Sequence, residues 1–282
     1  MPDALTPDRT PPDPAGSEAA PPESAQSESA PPESAPPESA QPAGLTELRF
    51  RSDVTVELVR SAAADADVLF AARVSTAGEQ SLDQVGADAS RSAGLINYLM
   101  RDRHGSPFEH NSFTFFVSAP IFVFREYMRH RTFSFNEESG RYRRLEPVFY
   151  VPGPDRKLVQ EGKPGRYVFV DGTPEQHKLV GEVTRRACEQ AYGAYLEMLE
   201  AGVAREVARG VLPVSIYSSM YATCNARALM HFLSLRTKRE DSTFPSFPQR
   251  EIEMVAERME ALFAEKMPLT HAAFERNGRV SP

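Results

Sequence analysis

No run in this 282-residue chain approaches the roughly 20 consecutive apolar residues that cross a bilayer, so no membrane-spanning helix is expected. The chain start lacks the basic residues and apolar stretch of a secretory signal, which points to a cytoplasmic protein. Cysteine is scarce. Cys188 and Cys224 stand in unrelated contexts without metal-ligand spacing, so no metal site is expected and both read as free buried thiols. The first 44 residues have no aromatic side chain and only one base, Arg9. They carry half of the 24 prolines, three copies of PPESA and eight acids from Asp3 to Glu38. A segment this poor in apolar surface cannot offset its ordering entropy, so residues 1–44 are expected to be a disordered acidic tail. Without those eight acids and that one base, 31 acids face 31 bases, and the net charge of −7 belongs to the tail. A generally basic nucleic-acid-binding surface is therefore not expected. The remainder, 45–282, reads as one folded domain.

The densest chemistry lies in Arg129 to Tyr142, RHRTFSFNEESGRY. Guanidinium groups fork onto two oxygens at once and suit phosphates and carboxylates. A solvated basic turn would account for Arg129, His130 and Arg131 alone. It does not account for the Asn136, Glu137, Ser139, Arg141 and Tyr142 that follow. The stretch as a whole reads as a cradle for a phosphorylated ligand.

The elements around it follow from periodicity. Leu48 to Val59 alternates as a strand, and Asp65 to Val74 and Ala89 to Arg103 read as helices. His104 to His110 (HGSPFEH) has the Ser–Pro–x–Glu form of a helix start. A strand pattern over Ser112 to Ser118 follows at once, so a turn is expected at Ser106 and not a helix. Ile121 to Arg131 is expected to be helical through Ile121, Phe124 and Met128, delivering the basic triplet at its C-terminal end. Phe149 to Pro152 reads as a short strand, and Gly153 to Gly172 as a surface excursion. A capped helix spans Thr173 to Gly202, with Leu179, Val183, Ala187, Tyr195 and Leu199 as its stripe and Cys188 in the core. Ala204 to Val211 is a short helix carrying Arg205 and Arg209, and Ile216 to Thr223 a strand or bend. Asn225 caps a helix to Arg236, on which Arg227 and His231 share a face. A polar loop, Thr237 to Phe247, precedes a last long helix from Pro248 to Lys266.

Arg129, His130 and Arg131, then seven residues, then Ser139, resemble the R-H-R-x(7)-S signature of the flavin-dependent thymidylate synthases. HGSPFEH, APIFVFREYMRHR, REVARGVLP and NARALMHFLSLR are similar to further blocks of that family, in its order, across roughly 46–275. The resemblance implies an α/β unit, a twisted, largely antiparallel sheet flanked by helices, assembled as a homotetramer with shared active sites. It implies reductive methylation of dUMP to dTMP, with methylenetetrahydrofolate as one-carbon donor and NADPH reducing a bound FAD. It casts Ser106, Arg129, His130, Arg131, Glu137, Asn225, Arg227 and His231 as flavin-binding. Glu126, Arg129, Glu137, Glu138, Ser139, Gly140, Arg141, Arg209 and Arg236 become dUMP-binding. Arg236 becomes the catalytic cation that favours ionisation of the uracil ring. Some members have Gln at the position of Glu126 and Asn at that of His231. Two other hypotheses stand beside it: a non-catalytic nucleotide- or RNA-binding module, and a flavoprotein that only oxidises NADPH.

Overall fold

The computed structural model describes residues 47–78, 89–163 and 166–282. The expected tail lies outside them. Four strands form the central sheet: β2 (Thr55–Ala62), β3 (Ser112–Pro120), β8 (Tyr217–Cys224) and β4 (Ser134–Glu137), in the order β2-β3-β8-β4. Every pairing in this sheet is antiparallel. β3 shows why it sits centrally. Phe113, Phe115, Val117 and Ala119 are fully buried on one face, while Thr114, Phe116 and Ser118 alternate onto the other. The buried face packs on helices α6 (Ala226–Arg236) and α7 (Arg250–Lys266), through Leu229, Phe232 and Leu233 and through Ile252, Val255, Met259 and Phe263. Each such side chain contributes about 1.5–3 kcal/mol by leaving water. Helices α1 (Asp65–Ala77), α2 (Ala89–Arg101) and α8 (Pro268–Arg276) complete this core. Asp65 fixes the start of α8, accepting from the backbone N–H groups of Leu269 (2.9 Å) and Thr270 (2.8 Å).

A second cluster forms where β1 (Arg49–Arg51) pairs parallel with β5 (Val148–Tyr150), under α4 (Pro174–Glu200) and α5 (Arg205–Ala208). Thr173 and Gln176 form the capping box that starts α4, with Pro174 at its first position. Cys188 and Cys224 are free and buried, as expected.

Several expectations need correction. Leu48 to Val59 is two strands, because β1 leaves to pair with β5. The Gly153–Gly172 excursion contains an antiparallel hairpin, β6 (Val159–Lys163) with β7 (Arg166–Val170). On α4, Leu179 and Val183 are exposed. The buried stripe is Cys188, Tyr192 and Tyr195, because only the C-terminal half meets the second core. α3 (Ile121–Tyr127) stops at Tyr127, four residues short of Arg131, and buries Tyr127 rather than Met128. The turn at Ser106 is one 3₁₀ turn, Ser106–Glu109, so the Ser–Pro–x–Glu start does form helical structure before β3 takes over. α8 was not expected at all. The loop after Thr237 is pinned at its far side, where Thr243 N–H donates to Gly278 O (3.0 Å). Gly278 has φ +71°, and a Cβ there would lie 2.0 Å from Thr243 Oγ1, so this position needs glycine. Among the described residues, no helix is long and apolar enough to cross a membrane.

Candidate active site

The polar stretch after α3 is held at both ends. At its start, two tight turns carry Arg129 to Phe133, with His130 N–H donating to Tyr127 O (3.0 Å) and Phe133 N–H to His130 O (3.2 Å). This turn separates the basic triplet: His130 is buried, while Arg129 and Arg131 are exposed. Phe133 and Phe232 both pack edge-on to the His130 ring, Phe232 at 4.8 Å by centroid, and are tilted against each other. Beyond the turn, Ser134–Glu137 becomes the edge strand β4 against β8, an element hidden within the polar run.

Arg236, in the last turn of α6, reaches this start point. Its Nε donates to Nε2 of His130 (3.1 Å), its Nη1 to Oε2 of Glu126 (2.7 Å) and its Nη2 to the Glu126 backbone oxygen (3.5 Å). Burial pushes the His130 pKa down to about 4, and the nearby Arg236 cation and His231 add to that. His130 is therefore a neutral acceptor at pH 7. His231 lies across from it, ring centroids 6.2 Å apart.

At the far end, Glu138 N–H donates to Ser219 O (2.8 Å), and Ser219 Oγ donates to Glu138 Oε2 (3.1 Å). Arg143 Nε sits 3.1 Å from Glu138 Oε1. These groups, with Phe116, Asn136, Glu137, Met220 and Tyr221, line a cleft of ≈ 300 Å³ on the sheet face away from the main core. Burial raises the Glu137 pKa, while the guanidinium groups of Arg125 and Arg209 act against it. The tight turn that follows is drawn closed by Tyr142 N–H donating to Ser139 O (3.1 Å). Gly140 is buried there, and a Cβ on it would meet Leu145 at 3.0 Å and Arg209 at 3.3 Å. That close approach places Arg209 beside the Ser139–Arg141 turn. Arg141 Nε is paired with Glu206 Oε2 at 2.6 Å on the surface, where such a pair is weak.

A third group lies at the 3₁₀ turn. Arg227 donates from Nη1 to Glu109 (2.5 Å) and from Nε to the Pro282 oxygen (2.6 Å), and its guanidinium lies flat against Gly105, beside Ser106. Asn225 accepts from Ala228 N–H (2.9 Å) as the N-cap of α6, so it has a structural task whatever else it does. Asn111 supports the same end, accepting from Ala226 N–H (2.7 Å).

The structure thus joins Glu126, His130, His231 and Arg236 in one group. It places Glu137 and Glu138 in the cleft, Arg209 against Gly140 in the Ser139–Arg141 turn that follows, and Ser106 with Arg227 at the 3₁₀ turn. Missed by sequence reasoning are Arg143, Ser219, Tyr221 and Phe116. The alternation of Ser219, Tyr221 and Thr223 on β8 was the available signal for a polar sheet face.

The sequence profile described as "Thymidylate synthase complementing protein" (Thy1) matches residues 57–269. A "Flavin-dependent thymidylate synthase" of Streptomyces coelicolor is 72% identical over 237 residues, covering 84% of this chain and 96% of that one. Its namesake in Streptomyces avermitilis is 74% identical over 234 residues, covering 83% and 95%. Among solved structures, the UMP/dUMP methylase PolB from Streptomyces cacaoi, bound with 5-Br dUMP, superposes with a TM-score of 0.79 at 60% identity, covering 83% of this chain and 100% of that one. Motif, sheet topology and whole-domain similarity agree, and the chain belongs to the flavin-dependent thymidylate synthase family.

Proposed function

We propose that this protein methylates dUMP to dTMP in the cytoplasm, using methylenetetrahydrofolate as carbon donor and NADPH as reductant through FAD. The observation that carries it is the clamped Arg129–Tyr142 segment, with Arg236 at its start and the Glu137–Glu138 cleft at its end, in a chain 74% identical to an enzyme of that name. The exposed donors Ser106, Arg129, Arg131, Arg227 and His231 fit the pyrophosphate of a dinucleotide, which needs charge-assisted N–H and O–H groups. With His130, Glu137 and Asn225 they would hold FAD, which supplies hydride-carrying chemistry that no side chain offers.

The chain's own residues bind and polarise. Ser139, Arg141 and Arg209 take the nucleotide phosphate, and Arg129, Glu137, Glu138 and Gly140 close around the sugar and base. Arg236 presents a fixed cation to the pyrimidine and stabilises negative charge as it develops there, in a partly buried position where a cation acts strongly. Asn225, Arg227 and His231 face a neighbouring subunit's flavin in a homotetramer. The exposed Leu179 and Val183 on α4 are apolar surface suited to that assembly, and light scattering should report four times 31.3 kDa.

The deciding experiment records the visible absorbance of the purified protein, then adds NADPH without oxygen, with and without dUMP, and lastly methylenetetrahydrofolate. A flavin band that bleaches, followed by dTMP, is expected. A colourless protein that FAD cannot reconstitute overturns the proposal. Running UMP beside dUMP tests whether the sugar is discriminated.

A further inference from the structure

We infer that Ser281 and Pro282 are positioning residues for Arg227, acting on flavin binding through that guanidinium and not by contact with the cofactor. The inference rests on the flavin role proposed above for Arg227. Helix α8 is followed by two successive residues in the left-handed region, Gly278 at φ +71° and Arg279 at φ +58°. Their N–H groups donate to Glu275 O (3.0 Å) and Phe274 O (2.9 Å) and close the helix end. Arg279 is held in this uncommon conformation by its buried pairing with Glu260 at 2.6 Å. The chain then turns back to the start of α6. Arg103 Nη1 donates to Val280 O (2.6 Å), Ser281 Oγ to Arg227 O (3.0 Å), and Arg227 Nε to Pro282 O (2.6 Å). Arg103 stands just before His104, Gly105 and Ser106, and Arg227 lies across from them on α6. Val280 to Pro282 is thus a strap that joins both sides of the 3₁₀ turn, with Pro282 buried beneath it.

An arginine on the surface, untethered, samples many rotamers. The Arg227 side chain is 44% exposed, yet its guanidinium is fixed in three ways. Gly105 lies under its flat face, Glu109 accepts from Nη1 at 2.5 Å, and Pro282 accepts from Nε. With Glu109 alone the group could still swing about that one bond. A second acceptor on a different nitrogen sets its plane. Ser281 ties the strap to the backbone of the same arginine, and so places the Pro282 oxygen. A guanidinium has five N–H groups. Two are used here, on Nε and Nη1, which leaves three, one on Nη1 and two on Nη2, for phosphate oxygens. Charge-assisted bonds to a phosphate depend on how that fork is aimed. The strap therefore contributes to flavin affinity by aiming a donor that already exists.

The test measures the Kd of the assembled enzyme for FAD, read as flavin fluorescence gained on dilution. It compares the parent with a chain ending at Val280, with R227A, with both changes together, and with S281A and S281T. Ending at Val280 keeps the bond from Arg103 and removes both contacts to Arg227. Light scattering and Tm report assembly and folding. The shortened chain should bind FAD about tenfold more weakly, with the calorimetric Kd for dUMP, at saturating FAD, within about threefold of the parent. S281A should lose about threefold, and S281T, which keeps the hydroxyl, should stay near the parent. In the R227A background, shortening should add less than about a twofold change, as required when one group works only through another. An unchanged FAD Kd in the shortened chain overturns the inference, as do losses that multiply in the double variant or an equal weakening of dUMP. If the shortened chain does not assemble, a parent-like FAD Kd in S281A overturns it. If R227A holds FAD as tightly as the parent, the flavin role of Arg227 falls first. If R227A binds FAD weakly while the shortened chain is normal, only the inference about Ser281 and Pro282 falls.

Discussion

Arg236 donates its Nε hydrogen to Nε2 of His130 across 3.1 Å, which leaves that nitrogen unprotonated and puts the imidazole hydrogen on Nδ1. The bond joins the C-terminal turn of α6 to the middle of the Arg-His-Arg triplet. His130 is thereby an anchor for the arginine, and its two exposed neighbours remain available for ligand.

Replacing Arg236 removes the cation proposed to act on the pyrimidine, and of the residues assigned to flavin only His130 loses a hydrogen bond to it. R236A should retain its flavin band and its bleaching by NADPH, while dTMP formation falls by about 100–1000-fold. Steady-state turnover beside an absorbance spectrum checks both halves. Turnover near the parent rate contradicts the assigned role.

His130 makes stability depend on pH with a definite sign. Below its ordinary value of 6.5 the unfolded chain takes up a proton there, whereas the folded chain refuses it until about 4. The unfolded state holds more protons in that window, so this group makes stability rise with pH from about 4 to 6.5. H130N cannot titrate and should show a shallower dependence of Tm on pH over the same window. Equal slopes in parent and variant would remove the effect.

Glu260 is the acid on which the C-terminal structure rests. Burial opposes its charge, but hydrogen bonds from His271 and Arg279 outweigh that and hold its pKa at about 2. Arg279 Nη1 lies 2.6 Å from it with a side chain 1% exposed. E260A leaves that buried cation with only the longer contact to Glu275 (3.4 Å) and the Thr237 hydroxyl, and should cost about 3 kcal/mol, a fall in Tm of about 10 °C. The paired change E260M/R279M should recover much of the loss, because no lone charge is left inside. Differential scanning calorimetry of the three proteins separates the charge effect from lost packing.

Deleting residues 1–44 should leave Tm, assembled mass and dTMP turnover unchanged, since that segment is expected to bury little apolar surface. Reduced assembly or activity in the shortened chain would give the acidic tail a task.

The sequence by itself determined what depends on neighbours a few residues apart. The alternation of Phe113, Phe115 and Val117 made a strand, and the stripes of α2 and α7 made helices, because pleat and helical turn are local periods. Asn225 and Thr173 announced helix starts for the same reason. The polar composition of Arg129–Tyr142 and its signature spacing marked the site. Tertiary structure decided everything that depends on a partner far along the chain. Ser134–Glu137 is a strand only because β8 offers an edge about 85 residues later, and Phe50 leaves the first strand because Phe149 waits beside it. Leu179 and Val183 fit the helical period of α4, yet that half of the helix meets no core. Nothing local pairs Glu126 with Arg236 across 110 residues. That contact exists because α3 and α6 end at one place on the packed core, and packing is a property of the whole chain.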